Sequence, residues 1–328
     1  MRQARAKLKG VAAVYHCITR TVAGEMLLDD VAKEVLRKMI WQVADFSGVE
    51  VLAYCVMSNH FHVLVRVSGR KKLSRDELVR RYRVLYAKSR SPYQPDPDVL
   101  EGILKGEQDK ALAEEWRERL EMRMGDVSEF MKTLKQRFSV WYNRSHHRYG
   151  TLWAERFKSV LVEDHPSSLK TLAAYIDLNP VRAGLVEDPG DYRWSTYGEA
   201  MGDQVAAQRA LAGVFHKEVW SEAVESYRMV LYGKGGDHHQ AHQKRIPRDR
   251  VVAVLESGGK VPMSSMLRCR VRYFTDGAII GSKVFVQEKG AMLLGSKQQK
   301  DKRLGEIPLI RETEGICVWR SLRLTRFS

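Results

Sequence analysis

The chain has 328 residues, 44% of them apolar and 29% charged, with a formal net charge of +15 at neutral pH. These fractions are typical of a globular protein with a buried core. Because no apolar run is long enough to span a membrane, no signal peptide is recognisable and the four cysteines form no CxxC pair, we expect a cytoplasmic protein without a membrane partner.

The first 67 residues show strand and helix patterns in the order strand, helix, strand, strand. This order begins a ferredoxin-like α+β sandwich with an antiparallel sheet. The predicted strands are residues 11–19, 51–57 and 60–67, and the helix between the first two begins at Asp29 or Asp30 and ends at Gly48.

The remainder of the chain predicts an insertion, the second half of the sandwich and a tail. A charged, mostly helical pattern over about 70–125 indicates the insertion. A helix from Val127, a strand over 153–162 and a helix from Pro166 that ends near Pro180 complete the sandwich. We expect three units: a catalytic domain over 1–200, a helical connector and linker over 201–246, and a small basic C-terminal module over 247–328.

The positive charge is clustered, and clustered cations predict a polyanionic partner. Ten Lys or Arg residues lie between Arg66 and Arg90, against only Asp76 and Glu77. The stretch 244–300 is basic again and carries aromatic residues, which could stack on unpaired bases. A basic but otherwise ordinary surface is the alternative.

Two histidines separated by one residue begin the third predicted strand. Side chains two residues apart on a strand share a face, so His60 and His62 are neighbours, while Phe61, Val63 and Val65 point into the core. Two adjacent imidazoles form half of a divalent-metal site. The alternative is an edge strand with two solvated histidines.

The helix before Pro180 carries a tyrosine and an asparagine one turn apart. Tyr175 and Asn179 lie on one side, beside the predicted buried stripe. A phenol and a carboxamide would therefore project together from the helix edge. Geometry alone leaves open a boundary tyrosine followed by an asparagine that ends the helix.

Together these motifs resemble the REP-associated tyrosine transposases, a branch of the HUH nucleases, over roughly residues 10–200. HUH nucleases carry two histidines around a hydrophobic residue, here His60-Phe61-His62. The transposases carry their tyrosine in a segment similar to Tyr175–Val186, YIDLNPVRAGLV. Residues 150–158 (GTLWAERFK) and 15–20 (YHCITR) also resemble the family.

The resemblance implies an enzyme that cuts and rejoins single-stranded or hairpin DNA through a 5′-phosphotyrosine intermediate. Tyr175 would be the nucleophile, and His60 and His62 would bind Mg²⁺ or Mn²⁺ with Asn179 as a third polar ligand. The implied fold is again the ferredoxin-like sandwich. We expect DNA contacts from eight basic residues, namely Arg137, Arg144, Arg148, Arg156, Lys158, Arg182, Lys244 and Arg245.

Three alternatives stay open. The chain could be a non-catalytic nucleic-acid-binding protein on a ferredoxin-like sheet, or an HUH replication initiator or relaxase-type nuclease. Tyr142 or Tyr149, which flank a basic helix end, could replace Tyr175 as the nucleophile. The sequence leaves the oligomeric state open between a monomer and a homodimer.

Overall fold

The computed structural model describes residues 7–8, 10–87, 93–235, 251–252, 256, 279–294, 304–306 and 316–319. The strands are β1 (Ala13–Arg20), β2 (Val49–Val56), β3 (His60–Val67), β4 (Lys158–Val162), β5 (Ile279–Ser282), β6 (Leu304–Glu306) and β7 (Ile316–Trp319). The helices are α1 (Asp30–Ser47), α2 (Arg75–Tyr86), α3 (Pro97–Lys105), α4 (Lys110–Glu121), α5 (Val127–Ser145), α6 (Pro166–Asp177), α7 (Asn179–Arg182), α8 (Thr196–Met201), α9 (Val205–Val214), α10 (Val224–Gly235) and α11 (Lys283–Leu294). Within these ranges, no helix has the length and apolar character that a membrane span requires.

The centre of the fold is the predicted α+β sandwich. Four strands lie in the order β2-β3-β1-β4, and each neighbouring pair is antiparallel. Their chain order, β1-α1-β2-β3-α5-β4, leaves only the insertion α2–α4 between the two halves. This is the strand and helix order of a ferredoxin-like fold, so the predicted fold class is confirmed.

The ends of α1 follow from two residues that the sequence singled out. The side chain of Asp29 accepts a hydrogen bond from the Ala32 amide at 2.7 Å and caps the first turn. Gly48 ends the helix with a φ of 60°, in the left-handed region that glycine adopts without strain.

The fourth strand is shorter than predicted. The sequence pattern indicated residues 153–162, but β4 begins at Lys158, and Trp153 forms only an isolated bridge with Thr21. The Trp153 indole turns instead towards the helices and packs edge-on against Phe61, with ring centroids 5.7 Å apart. At Trp153, aromatic packing between the sheet and the helices therefore takes the place of the strand pairing that was expected.

Ion pairs neutralise much of the basic cluster that begins at Arg66. The Arg66 guanidinium bridges Glu50 and Asp164, each at 2.7 Å. Arg80 bridges Asp45 and Glu77, so it ties α2 to the end of α1. The pairs Arg75–Asp76, Arg81–Glu77, Arg83–Asp98 and Arg83–Glu101 continue this pattern. Among these pairs, Arg80–Asp45 joins the insertion to the sandwich, and the charge of these arginines is largely balanced within the protein.

A second helical layer covers the face of the sheet opposite α1 and α5. Helices α6, α8, α9 and α10 contribute buried apolar side chains to it, and these pack with Leu52 and Leu64 of the sheet. The expected connector over 201–246 is therefore helical as far as residue 235, but it belongs to the packed core. Its buried members include Leu211, Tyr227 and Leu231.

The described part of the tail continues the same sheet. Strand β5 pairs in parallel with β4, with Leu161 opposite Ile279 and Val162 opposite Ile280. Strands β7 and β6 follow at the sheet edge. The expected module boundary at 247, together with Lys244 and Arg245, lies outside the described residues.

A buried carboxyl group joins α6 to the rest of the second layer. Asp177 is fully buried, accepts a hydrogen bond from the Tyr227 hydroxyl of α10, and accepts another from the Tyr197 amide of α8 at 3.2 Å. Burial raises the pKa of Asp177 to about 7. The last turn of α6 is thus anchored to two other helices through one side chain.

We predict that Tyr227→Phe lowers the free energy of unfolding by about 1–3 kcal/mol, because Asp177 loses a donor at a site that water does not reach. Urea denaturation of wild type and variant measures the difference. Tyr149→Phe removes the same atom from a side chain that is 95% exposed and should leave stability unchanged. Equal stability of Tyr227→Phe and wild type would contradict the anchoring role.

Candidate functional site: a histidine cluster beneath a buried tyrosine

The two predicted metal-ligating histidines lie on the sheet face that α6 covers. His60 stands directly opposite Arg20 on β1, and His62 stands opposite Ile18, so these four side chains share a face. Phe61, by contrast, packs in the core on the α1 side, as predicted. The imidazole centroids of His60 and His62 are 5.1 Å apart. The solvated-edge alternative is wrong, because His62 is 2% exposed.

A third histidine, which the sequence analysis did not assign, completes the cluster. His16 of β1 is fully buried, and its Nε2 lies 2.9 Å from Nδ1 of His62. The two rings are nearly coplanar and meet edge to edge, with an interplanar angle of 19° and centroids 5.1 Å apart. His16 belongs to the YHCITR stretch, but only the register between β1 and β3 brings it beside His62.

His60 has its own polar neighbour at the turn before β3. Its Nδ1 lies 2.7 Å from Oδ1 of Asn59, whose amide nitrogen donates to the Gly24 carbonyl at 3.1 Å. Both histidines of the pair are therefore hydrogen-bonded through Nδ1.

Burial keeps both histidines neutral. Desolvation, followed by the nearby Arg20 charge, lowers the pKa of His60 to about 4. Desolvation also holds the pKa of His62 well below its ordinary value, with smaller contributions from His16 and other neighbours. Neutral imidazole is the form that binds metal ions.

The histidine pair supplies only part of a metal site. Among the described residues, no group of three or more His, Cys, Asp or Glu side chains could hold a metal ion. The donor chemistry of His60 and His62 fits a divalent ion whose remaining ligands are oxygens from amides, water or a substrate.

Tyr175 lies directly above these rings. Its ring centroid is 5.9 Å from that of His62 and 6.4 Å from that of His16, in both cases edge-on. The expected position at the helix edge is wrong, since Tyr175 is only 1% exposed. Helix α6 is enclosed between the sheet and the helices that follow it, so even the side beside its apolar stripe is buried.

Arg182 places a cation against the tyrosine. Its guanidinium lies 5.0 Å from the Tyr175 ring centroid, and Nη1 donates to the Tyr175 carbonyl at 3.0 Å. Among the described residues, the buried Nη2 has no hydrogen-bond partner. Burial lowers the pKa of Arg182 to about 10, so the group remains charged at neutral pH. An arginine with a spare buried donor is suited to an anionic group such as a phosphate.

Asn179 caps the helix that carries the tyrosine. Its amide nitrogen donates to the carbonyls of Tyr175 and Ile176, both at 3.1 Å. The amide oxygen is therefore the atom left to act as the metal ligand expected of this residue.

The other predicted site residues are dispersed. Tyr142 is buried in the core cluster on the opposite sheet face, where its hydroxyl donates to the Leu27 carbonyl. The Arg137 guanidinium is held by the Leu85 carbonyl and lies over the Tyr86 ring. Lys158 stands opposite Ile18, on the face of the histidines. Three further residues that were expected to contact DNA lie on α5 or in the segment after it, namely Arg144, Arg148 and Arg156.

We predict that tetranitromethane nitrates the exposed Tyr149 well before Tyr175 in the folded chain without DNA, because the reagent must reach the ring. Tyr149 is 95% exposed and Tyr175 is 1% exposed. Peptide mass spectrometry at increasing reaction times measures both rates, and urea-unfolded protein, in which the two should react alike, is the control. Nitration of Tyr175 at the rate of Tyr149 in the folded chain would contradict the enclosed position.

Comparison with known proteins agrees with the histidine motif. No curated protein matches this chain. A solved structure of a REP-associated tyrosine transposase bound to a REP hairpin is similar at 16% identity and a TM-score of 0.38, over 63% of this chain and 90% of that one, a likeness too distant to support a conclusion. A family described as "Transposase IS200 like" matches residues 11–91, which contain His16, His60 and His62. The match covers the first part of the sandwich, from β1 to β3, and the start of the insertion.

Proposed function

We propose that this chain is a metal-dependent transposase of the REP-associated tyrosine type, which cuts and rejoins single-stranded or hairpin DNA with Tyr175 as its nucleophile. The observation that supports this most directly is the position of the Tyr175 ring, whose centroid lies 5.9 Å from that of the His62 imidazole and 5.0 Å from the Arg182 guanidinium. A protein that only binds nucleic acid has no need of this arrangement.

The metal ligands in this proposal are His60 and His62, with the amide oxygen of Asn179 as a third. Imidazole nitrogens suit Mn²⁺ at least as well as Mg²⁺, which prefers oxygen ligands. A bound divalent ion would polarise the scissile phosphate and offset its negative charge.

In the reaction itself, the Tyr175 hydroxyl oxygen attacks the phosphorus, and its proton leaves to solvent or a nearby base. The bond between phosphorus and the 3′ oxygen breaks, and that oxygen takes up a proton to become a free 3′-hydroxyl. The new 5′-phosphotyrosine ester retains the phosphodiester, so a second 3′-hydroxyl can reverse the step and join strands. Arg182 Nη2 is the donor available to a phosphate oxygen beside the tyrosine.

The DNA path that we propose follows the cations around the histidine face. Arg20 stands opposite His60, and Lys158 of β4 lies on the same face as His62, with Ile18 of β1 between them. Both side chains are exposed, as is Arg156 in the preceding segment. Because Tyr175 is enclosed, the segment around α6 must rearrange when DNA binds, so that the phenol becomes accessible to the DNA backbone.

We predict that Tyr175→Phe abolishes a covalent protein–DNA adduct while leaving DNA affinity nearly unchanged, because only the attacking oxygen is removed. Incubation with single-stranded hairpin oligonucleotides and Mn²⁺, followed by denaturing electrophoresis, measures the adduct. Tyr149→Phe is the matched control and should retain it. An adduct that persists in Tyr175→Phe but disappears in Tyr142→Phe would transfer the role to Tyr142.

We also predict that His60→Ala and His62→Ala each abolish cleavage, and that excess chelator abolishes it in the wild type, since each change removes a proposed ligand or the ion itself. Oligonucleotide cleavage on a sequencing gel measures the effect. His146→Ala, which alters a histidine at the end of α5, is the control and should cleave normally. Full cleavage in excess chelator would refute the metal requirement.

A further inference from the structure

The protonation pattern of His60 can be deduced from its neighbours. Asn59 donates through its amide nitrogen to the Gly24 carbonyl, which orients its oxygen towards His60. An amide oxygen only accepts, so His60 must carry its proton on Nδ1. The lone pair of the neutral ring is then on Nε2, where a metal ion can bind.

The corresponding contact of His62 is made by another histidine, which allows two arrangements. In one, His16 donates from Nε2 to Nδ1 of His62; the His62 proton then sits on Nε2, and the ring cannot bind a metal through that atom. In the other, His62 donates from Nδ1 to Nε2 of His16, and the Nε2 lone pair of His62 is free. The same 2.9 Å contact therefore either blocks or prepares the ligand atom.

We propose that His16 is a positioning residue that accepts the Nδ1 proton of His62 and so fixes its tautomer and ring orientation for metal binding. The assignment rests on the proposed metal-dependent function, because only that function requires a lone pair on His62 Nε2. Asn59 does the same for His60 through its amide oxygen. The pair thus presents two equivalent ligand atoms, each held by a hydrogen bond from the other ring nitrogen.

The surroundings of His16 suit this task. It lies in the middle of β1, between Val160 of β4 and Leu64 of β3, so the strand ladders on both sides restrict its backbone. The side chain is completely buried, and its ring lies nearly in the plane of the His62 ring, at an interplanar angle of 19°, as an in-plane hydrogen bond requires. A buried N–H of His62 without an acceptor would be unfavourable, so an acceptor at Nε2 of His16 can determine which tautomer His62 adopts.

Calorimetric titration of the full-length chain with MnCl₂ tests the proposal. His16→Leu removes the acceptor and should weaken Mn²⁺ binding by about 10- to 100-fold, as loss of an outer hydrogen bond to a ligand does elsewhere. His16→Gln places an amide oxygen near the position of Nε2 and should retain most of the affinity. Ile18→Leu changes a side chain beside His62 without touching the hydrogen bond, and it should bind like the wild type.

The outcomes separate this inference from the proposed function. A wild type that binds no Mn²⁺ refutes the metal-dependent function and the inference with it. A wild type that binds, with His16→Leu binding equally well, overturns the role of His16 alone.

The tautomer can also be measured directly in the metal-free wild type. Long-range ¹H–¹⁵N correlation spectra, with the His62 signals assigned through their absence from His62→Ala, should show His62 protonated on Nδ1. Protonation on Nε2 would overturn the inference. Because this measurement uses the unaltered chain, it decides the question even where His16→Leu does not fold.

Discussion

The arrangement of the site depends on the packing of α6 against the histidine face of the sheet. The apolar side chains of that helix attach it to β2 and β3, and the carboxyl group of Asp177 fastens its last turn to α8 and α10. Tyr175 lies two residues before Asp177. The buried hydrogen bonds of Asp177 therefore help to fix the distance between the Tyr175 and His62 rings. Burial of apolar surface provides most of the stability of such a layer, whereas a buried hydrogen bond selects one register within it.

Each central strand packs against two helical layers, one on each face of the sheet. In β1, Tyr15 and Cys17 pack towards α1 and α5, while His16 and Ile18 face α6. The three imidazoles thus lie on the sheet face that α6 covers, together with apolar side chains such as Val14 and Leu64 and with the exposed Arg20 and Lys158 near its end. Burial of polar rings is unfavourable unless they are hydrogen-bonded, and the contacts of His62 with His16 and of His60 with Asn59 meet that condition. The fold accommodates this polar cluster because His60 and His62 are neutral and each of the three imidazoles has a hydrogen-bond partner.

The cations of the chain have separate tasks that net charge does not distinguish. Arg66 and Arg80 form ion pairs with carboxylates of neighbouring elements, Arg66 between β3 and β2 and Arg80 between α2 and α1. Within the described part of the chain, Nη2 of Arg182 has no hydrogen-bond partner beside Tyr175, and the exposed Arg20 stands opposite His60. An excess of positive charge is therefore informative about a polyanionic partner only after the structural ion pairs have been set aside.

The sequence by itself determined the ferredoxin-like order of elements, a helix start at Asp29 or Asp30, the common face of His60 and His62, and the helix that carries Tyr175. All of these follow from local periodicity and from motifs, because side-chain direction repeats every two residues in a strand and every 3.6 in a helix. Only the tertiary structure decided that His16 touches His62, that Tyr175 is enclosed, and that residues 205–235 form a layer of the core. Periodicity states which side of an element is buried but not which distant segment buries it, since strand register and layer packing arise from contacts between residues far apart in the chain.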